Sequence, residues 1–150
     1  MTVAMIIAAT ALHSEILGRL HAGGFPDPWT AQDFAGFLQQ PGVEGWLIAP
    51  QDDPAGFILI RRAAEEAEVL TLVVAPMQQR KALGRALVDH VLENLRRRGI
   101  AACYLEVAAD NTAALALYHR CGFARCATRR SYYRRPGRSP ADAIVMRCDL

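Results

Sequence analysis

Two residues whose side chains exchange protons, Glu106 and Tyr118, stand twelve positions apart in this 150-residue chain. Glutamate is a poor strand former, yet Glu106 lies near the end of the apolar run Ala102 to Val107. A strand end and the helix after it can converge on one cleft, giving a carboxylate base and a phenol acid. The pair also fits a simpler arrangement, a strand-end glutamate neutralised by an arginine and a core tyrosine with a wet hydroxyl. A second candidate is the run Val74-Ala75-Pro76-Met77-Gln78-Gln79-Arg80-Lys81-Ala82-Leu83-Gly84. There a strand ends, the chain turns, and a long helix opens with basic and small residues. Free N–H groups at the positive end of a helix suit a pyrophosphate, and Arg80, Lys81 and Arg85 add charge. A solvated basic first turn is the competing reading. The run contains neither the nucleoside triphosphate loop GxxxxGK(S/T) nor the dinucleotide fingerprint GxGxxG.

Other side chains point less far. Cys103, Cys121, Cys126 and Cys148 form no CxxC pair, and with His119 they lack zinc-site spacing. Small buried thiols in a reducing compartment are expected instead. His13, His21, His90 and His119 suggest no partner and are read as surface or packing residues. Arg125, Arg129, Arg130, Arg134, Arg135 and Arg138 crowd the last quarter. They read either as a solvated hairpin or as a basic rim facing phosphates or an acidic acceptor. Little aromatic interleaving accompanies them beyond Tyr132 and Tyr133, so nucleic acid is disfavoured as a partner.

The elements that must position these residues follow from periodicity and punctuation. Val3 to Ala9 is a strand, and a helix through Ile16, Leu17 and Leu20 ends at Gly23-Gly24. Thr30 is an N-cap answered by Asp33, with Trp29 and Phe34 as a hydrophobic staple for a helix from Ala31 to about Gln39. Strands are expected at Gly45 to Ala49, Gly56 to Arg61 and Glu68 to Ala75. Leu83, Leu87, Val88, Val91, Leu92 and Leu95 recur at helical spacing, and Gly99 stops that helix. After the Ala102 to Val107 strand, Asp110 or Asn111 caps a helix running to Cys121 and Gly122. Phe123 to Tyr133 and Ala143 to Cys148 close the chain as strands around Pro136-Gly137. The order predicts an α+β fold, a mixed sheet with helices on both faces.

Length and composition bound the rest. One domain over residues 1–150 can bury its own core, and 52% apolar with 21% charged residues is ordinary for a soluble protein. No apolar run of about 18 residues suggests a membrane span. The apolar start is read as a strand rather than a cleaved leader. A cytoplasmic monomer or weak homodimer is expected.

The order of motifs adds a resemblance. Gln79-Arg80-Lys81-Ala82-Leu83-Gly84 resembles the Q/R-x-x-G-x-G/A acyl-CoA loop of the GNAT superfamily of N-acetyltransferases. Leu105-Glu106-Val107, Asn111, Ala116-Leu117-Tyr118 and Gly122-Phe123 resemble its other core segments. Phe25 to Thr30, Arg129-Arg130-Ser131-Tyr132-Tyr133 and Asp142-Ala143-Ile144-Val145-Met146 look like the bacterial ribosomal-protein-alanine (RimI) branch. The similarity spans about residues 25 to 148. It implies the GNAT fold, a mostly antiparallel mixed sheet, and acetyl transfer from acetyl-CoA to an amine with no metal. The acceptor implied is a protein N-terminus of the ribosomal-protein-alanine kind; a small-molecule amine, a lysine or a silent CoA-binding module are the alternatives. Carried over by position, Leu72, Val73 and Val74 offer backbone to the pantetheine and acetyl carbonyl. Gln79, Arg80, Lys81, Ala82, Leu83, Gly84 and Arg85 hold the pyrophosphate, and Asn111 helps fix the cofactor. Glu106 is the base and Tyr118 the acid. Two departures stand out. Ala82 replaces the loop's first glycine, a change that weakens cofactor affinity and that alanine's helix preference partly offsets. Ala108 replaces an arginine common after Leu-Glu-Val in that branch.

Amine chemistry favours an α-amine acceptor. A peptide α-amine titrates near 7.7–8 and a lysine near 10.4, so freeing the lysine costs roughly 3–4 kcal/mol more at neutral pH. Full proton transfer from a tyrosine to a thiolate is uphill by roughly 2 kcal/mol, so Tyr118 suits a hydrogen bond to the leaving sulfur. Cys103 falls on the strand face opposite Glu106, so direct transfer in a ternary complex is expected over an acyl-cysteine.

Overall fold

The computed structural model describes residues 5–78 and 82–150. The expected positions Gln79, Arg80 and Lys81, and the first residues of the Val3 to Ala9 strand, lie outside the described residues. In chain order the elements are β1 (Met5–Ala9), α1 (Ser14–Ala22), α2 (Ala31–Gln39), β2 (Val43–Ala49), β3 (Gly56–Ala63) and β4 (Glu66–Val74). They continue as α3 (Leu83–Arg97), β5 (Ala102–Ala108), α4 (Thr112–Arg120), β6 (Ala124–Arg135) and β7 (Arg138–Asp149). The strands make one sheet in the order β1-β2-β3-β4-β5-β7-β6. Every neighbouring pair is antiparallel except β4 and β5. This is the mixed, mostly antiparallel sheet that the order of elements predicts.

Helices lie on both faces. The six apolar residues of α3 recur at helical spacing and all six are buried. They share one core with Ile48, Ile58 and Ile60 of one half-sheet and with Leu105, Val107 and Met146 of the other. Each such side chain stabilises the fold by about 1.5–3 kcal/mol relative to exposure, before the entropy of ordering it. The second core lies on the opposite face, where Leu17 of α1 and Phe34 of α2 meet Leu47, Phe57, Leu59 and Val73. Local signals fix where these helices begin. Thr30 Oγ1 accepts from the Asp33 N–H, and the Asp33 carboxylate accepts from the Thr30 N–H, closing the capping box. Trp29 packs edge-on against Phe34 at 5.7 Å, as a staple should. Of the two candidates to cap α4, it is Asn111 that does so, its Oδ1 accepting from the Ala114 N–H at 3.2 Å.

One irregularity shapes the middle of the sheet. Leu59 pairs with Thr71 but Ile60 pairs with Val69, so Leu70 is an extra residue, a β-bulge in β4. Bulges bend a strand and increase its twist. β4 and β5 share only the pairs Glu66↔Ala102, Ala67↔Cys103 and Glu68↔Tyr104. Beyond these the two strands part company, opening a notch between their C-terminal halves.

The last hairpin runs further than its composition suggests. β6 and β7 each extend over 12 residues, with register shifts between Arg125 and Ala127 and between Arg129 and Tyr133. Ladder bonds, not apolar alternation, carry this part of the sheet, since most of β6 is exposed.

Candidate functional site

The notch decides what the candidate residues can do. Cys103, Leu105 and Val107 of β5 belong to the core beneath α3. By strand alternation Tyr104, Glu106 and Ala108 face the other way, toward the α1–α2 side. Glu106 lines an open cleft of about 430 Å³ there, with Glu66, Glu68, Tyr104, Arg61 and Arg129 among its walls. Arg129 Nε lies 3.2 Å from Glu106 Oε1. The ladder explains this meeting. Glu106 is opposite Val145, Ala108 is opposite Ala143, and Ala143 is opposite Arg129, so the guanidinium stands one diagonal from the carboxylate. Arg129 also lies 5.2 Å from the ring centroid of Tyr132, which itself meets Tyr133 edge-on. Ser131, between them, has a left-handed backbone, and its N–H donates to Asp142 Oδ1 at 2.8 Å.

Tyr118 sits on the α3 side of the sheet. It is 8% exposed and packs edge-on against Phe123. Burial, with smaller contributions from Cys121, Cys103 and Tyr133, pushes its phenol well above the ordinary tyrosine range, so it is protonated at neutral pH. Its hydroxyl makes no hydrogen bond among the described residues, yet it is not one of the sealed polar atoms. Glu106 and Tyr118 therefore lie on opposite faces of the sheet, and Tyr118 is not among the residues lining the cleft at Glu106, so the expected convergence of the two on one cleft is not what the fold gives. The strand-end ion pair and the core-packed tyrosine of the simpler arrangement are both present.

On the same side as Tyr118, Leu72 and Val74 pack against the α3 core while Val73 points to the α1–α2 side. Gly84 is a close-packing position: a Cβ there would lie 3.4 Å from Leu117 of α4 and 3.7 Å from Val74. Leu83 is buried by its side chain, so what it offers a ligand is its backbone N–H in the first turn of α3. Arg85 is half exposed and 3.6 Å from Asp89, a pair that is weak in water. Ala82 is the N-cap residue of α3 and has φ 60° and ψ 19°. That left-handed conformation is free for glycine but costs other residues roughly 1–2 kcal/mol. Ala82 lies outside the helix proper, so the expected offset from helix preference does not operate.

Other expectations need correction. Cys103 and Cys148 are buried as anticipated, but Cys121 is half-buried and Cys126 is exposed. Burial pushes the Cys103 thiol up to about 12, leaving it without thiolate at neutral pH. His21 is 3% exposed and does have a partner: the Trp29 N–H donates to its Nδ1 at 3.0 Å. Its ring stacks between Phe25 and Trp29. His13 accepts the Thr10 N–H at 2.9 Å, and His90 meets Trp46 edge-on. The arginine-rich end is partly neutralised, Arg129 by Glu106 and Arg135 by Asp110.

Sequence reasoning passed over Glu66, Glu68 and Tyr104. The signal was available: charged or polar residues at 66 and 68, and again at 104 and 106, recur with period two on otherwise apolar strands. Among the described residues, no group of three or more histidine, cysteine or acidic side chains could hold a metal ion. Among them, too, no helix is long and apolar enough to cross a membrane.

A mixed sheet split between a parallel pair of strands, with a helix N-terminus behind the split and a carboxylate in front, defines an acyl-transfer scaffold. Residues 14–123 match the Acetyltransferase (GNAT) family, and the chain belongs to that family. It is 38% identical over 120 residues to the ribosomal protein bS18-alanine N-acetyltransferase of Escherichia coli (strain K12), 79% of each chain being covered. It is 37% identical over 140 residues to the N-alpha-acetyltransferase RimI of Mycobacterium tuberculosis, covering 91% of this chain and 84% of that one. The crystal structure of the E. coli ribosomal-protein-S18-alanine N-acetyltransferase superposes with a TM-score of 0.91 at 30% identity, over 99% of this chain and 94% of the other.

Proposed function

We propose that this N-acetyltransferase moves the acetyl group of acetyl-CoA to the N-terminal α-amine of a protein, of the ribosomal-protein-alanine kind, by direct attack. The observation that supports this reading is the early end of the parallel ladder: β4 and β5 pair only as far as Glu68 and Tyr104, which leaves the strands unpaired beside Glu106. Donor and acceptor then meet through the sheet from opposite faces. The relatives that act on ribosomal protein alanine support the choice of acceptor.

The residues present fit acetyl-CoA. The β4 backbone at Leu72 and Val73 lies beyond the end of the ladder to β5 and so can pair with the amides of the pantetheine. The first turn of α3, with Ala82, Leu83, Gly84 and Arg85, and the preceding Gln79, Arg80 and Lys81, supplies N–H groups and cations for the pyrophosphate. Asn111 uses its oxygen as a cap, and its amide NH2 remains to donate.

Glu106 takes a proton from the acceptor as the amine nitrogen bonds to the thioester carbon. The carbon–sulfur bond then breaks, Tyr118 donates a hydrogen bond to the departing thiolate, and that sulfur takes up the proton the amine released, leaving as the thiol. Cys103, buried and protonated, is no acyl carrier. The test is mass spectrometry of a peptide library with free N-termini and lysine controls, incubated with acetyl-CoA. Acetylation confined to α-amines supports the reading; acetylation of lysines alone, or none, overturns it.

A further inference from the structure

Thr71 has a hydroxyl with nothing to bond to. It is the one sealed side-chain polar atom without a hydrogen-bond partner among the described residues, in a residue only 8% exposed. An unsatisfied buried hydroxyl costs roughly 1–3 kcal/mol, and a valine of the same shape would avoid that cost. A stability argument therefore gives no reason for the oxygen.

Its place in the fold does. Thr71 is opposite Leu59, a residue of the α1–α2 core, so its side chain points to the face on which Glu106 lies. Glu68 is level with Tyr104 in the last pair that β4 and β5 share. Two residues further on β5 is Glu106; two further on β4 comes the bulge at Leu70, and Thr71 completes it. The bulge thus sets Thr71 level with Glu106 across the notch.

We propose that the Thr71 hydroxyl is the second hydrogen-bond partner of the attacking amine. This rests on the acetyl-transfer reading above. A neutral amine that attacks a carbonyl has one lone pair to aim and N–H bonds left over. Glu106 accepts one N–H; a hydroxyl on the facing strand accepts another, which fixes the direction of the lone pair. The oxygen is covered in the free protein. A turn about χ1 to another staggered position presents it to the notch without moving the backbone, and the amine relieves the unmet bond.

Thr71→Val keeps the shape and removes the hydroxyl; Thr71→Ser keeps the hydroxyl. Each variant is assayed for acetylation of an N-terminal alanine peptide, for acetyl-CoA affinity by calorimetry, and for Tm. Thr71→Val is expected to lower kcat/KM for the peptide about tenfold, as loss of one hydrogen bond implies, with acetyl-CoA affinity within twofold and Tm equal or higher. Thr71→Ser is expected to stay within threefold of the parent. If Thr71→Val keeps kcat/KM within twofold, or loses Tm as well as activity, the inference is overturned. A Thr71→Val chain that fails to fold counts as that loss of Tm and overturns the inference as well. A parent protein that binds acetyl-CoA but acetylates no peptide refutes the proposed function instead, a result separable from the Thr71 comparison.

Discussion

Arg129 Nε stands 3.2 Å from Glu106 Oε1 although the residues belong to strands that do not touch; β7 runs between them. The arginine is 55% exposed by its side chain, and exposed ion pairs contribute little to stability, about 0–1 kcal/mol. Its effect belongs to the cleft. Arg129→Gln should leave Tm nearly unchanged and reduce kcat/KM several-fold, because the carboxylate loses the contact that aims it. Glu106→Gln should cost about 10²-fold or more in kcat with folding intact. Parallel thermal melts and steady-state rates check both.

Tyr118→Phe separates packing from chemistry. The ring contact with Phe123 survives and no hydrogen bond among the described residues is lost, so Tm should barely move. Turnover should fall by one or more orders of magnitude. Unchanged turnover would remove Tyr118 from the reaction while leaving the fold description intact.

Ala82→Gly relieves a left-handed alanine. The expected gain is about 1 kcal/mol, or about 3 °C in Tm, together with tighter acetyl-CoA binding by calorimetry. A loss of stability would mean that the flexibility glycine adds to the unfolded chain outweighs the relief.

Acid should loosen the α1–α2 corner before it attacks the rest. Burial lowers the pKa of His21 from its ordinary 6.5, so the native state resists its protonation. That contribution is fully present above about 6.5 and is lost as pH falls toward the depressed value. Glu44 is also lowered, chiefly by its hydrogen bond from Arg98, which outweighs the opposing effect of burial, with Arg62 adding a smaller contribution. Its contribution persists down to about 4.5 and is lost below that. Tm measured between pH 7.5 and 5 should therefore slope downward with acid in the parent and flatten in His21→Gln, where Glu44 is not yet titrating.

Much of this was legible in the chain. The α3 stripe, the Thr30–Asp33 box and the Gly99 and Gly122 stops are local signals, carried by residues within a turn or two of each other. What escaped depends on register. Arg129 reaches Glu106 only because three strands align, and Thr71 comes level with Glu106 only because of a bulge that no residue type announces. His21 was missed because its partner is a backbone N–H eight residues on. The long β6–β7 hairpin was underestimated because its outer half lacks the buried alternation that marks a strand. Glu106 and Tyr118 stand out by type and spacing, but that they lie on opposite faces and not in one cleft is visible only in the sheet.

The short parallel seam has a mechanical result. Three residue pairs join two antiparallel half-sheets, too few to fix the angle between them. The buried face of α3 belongs to a core that both halves share and so braces the joint. The width of the gap between the half-sheets is thus set from behind, by Leu87, Val88, Val91, Leu92 and Leu95, whose side chains lie in the core. Trimming Leu87 or Leu92 should alter the fit of the donor without touching a single residue of the cleft.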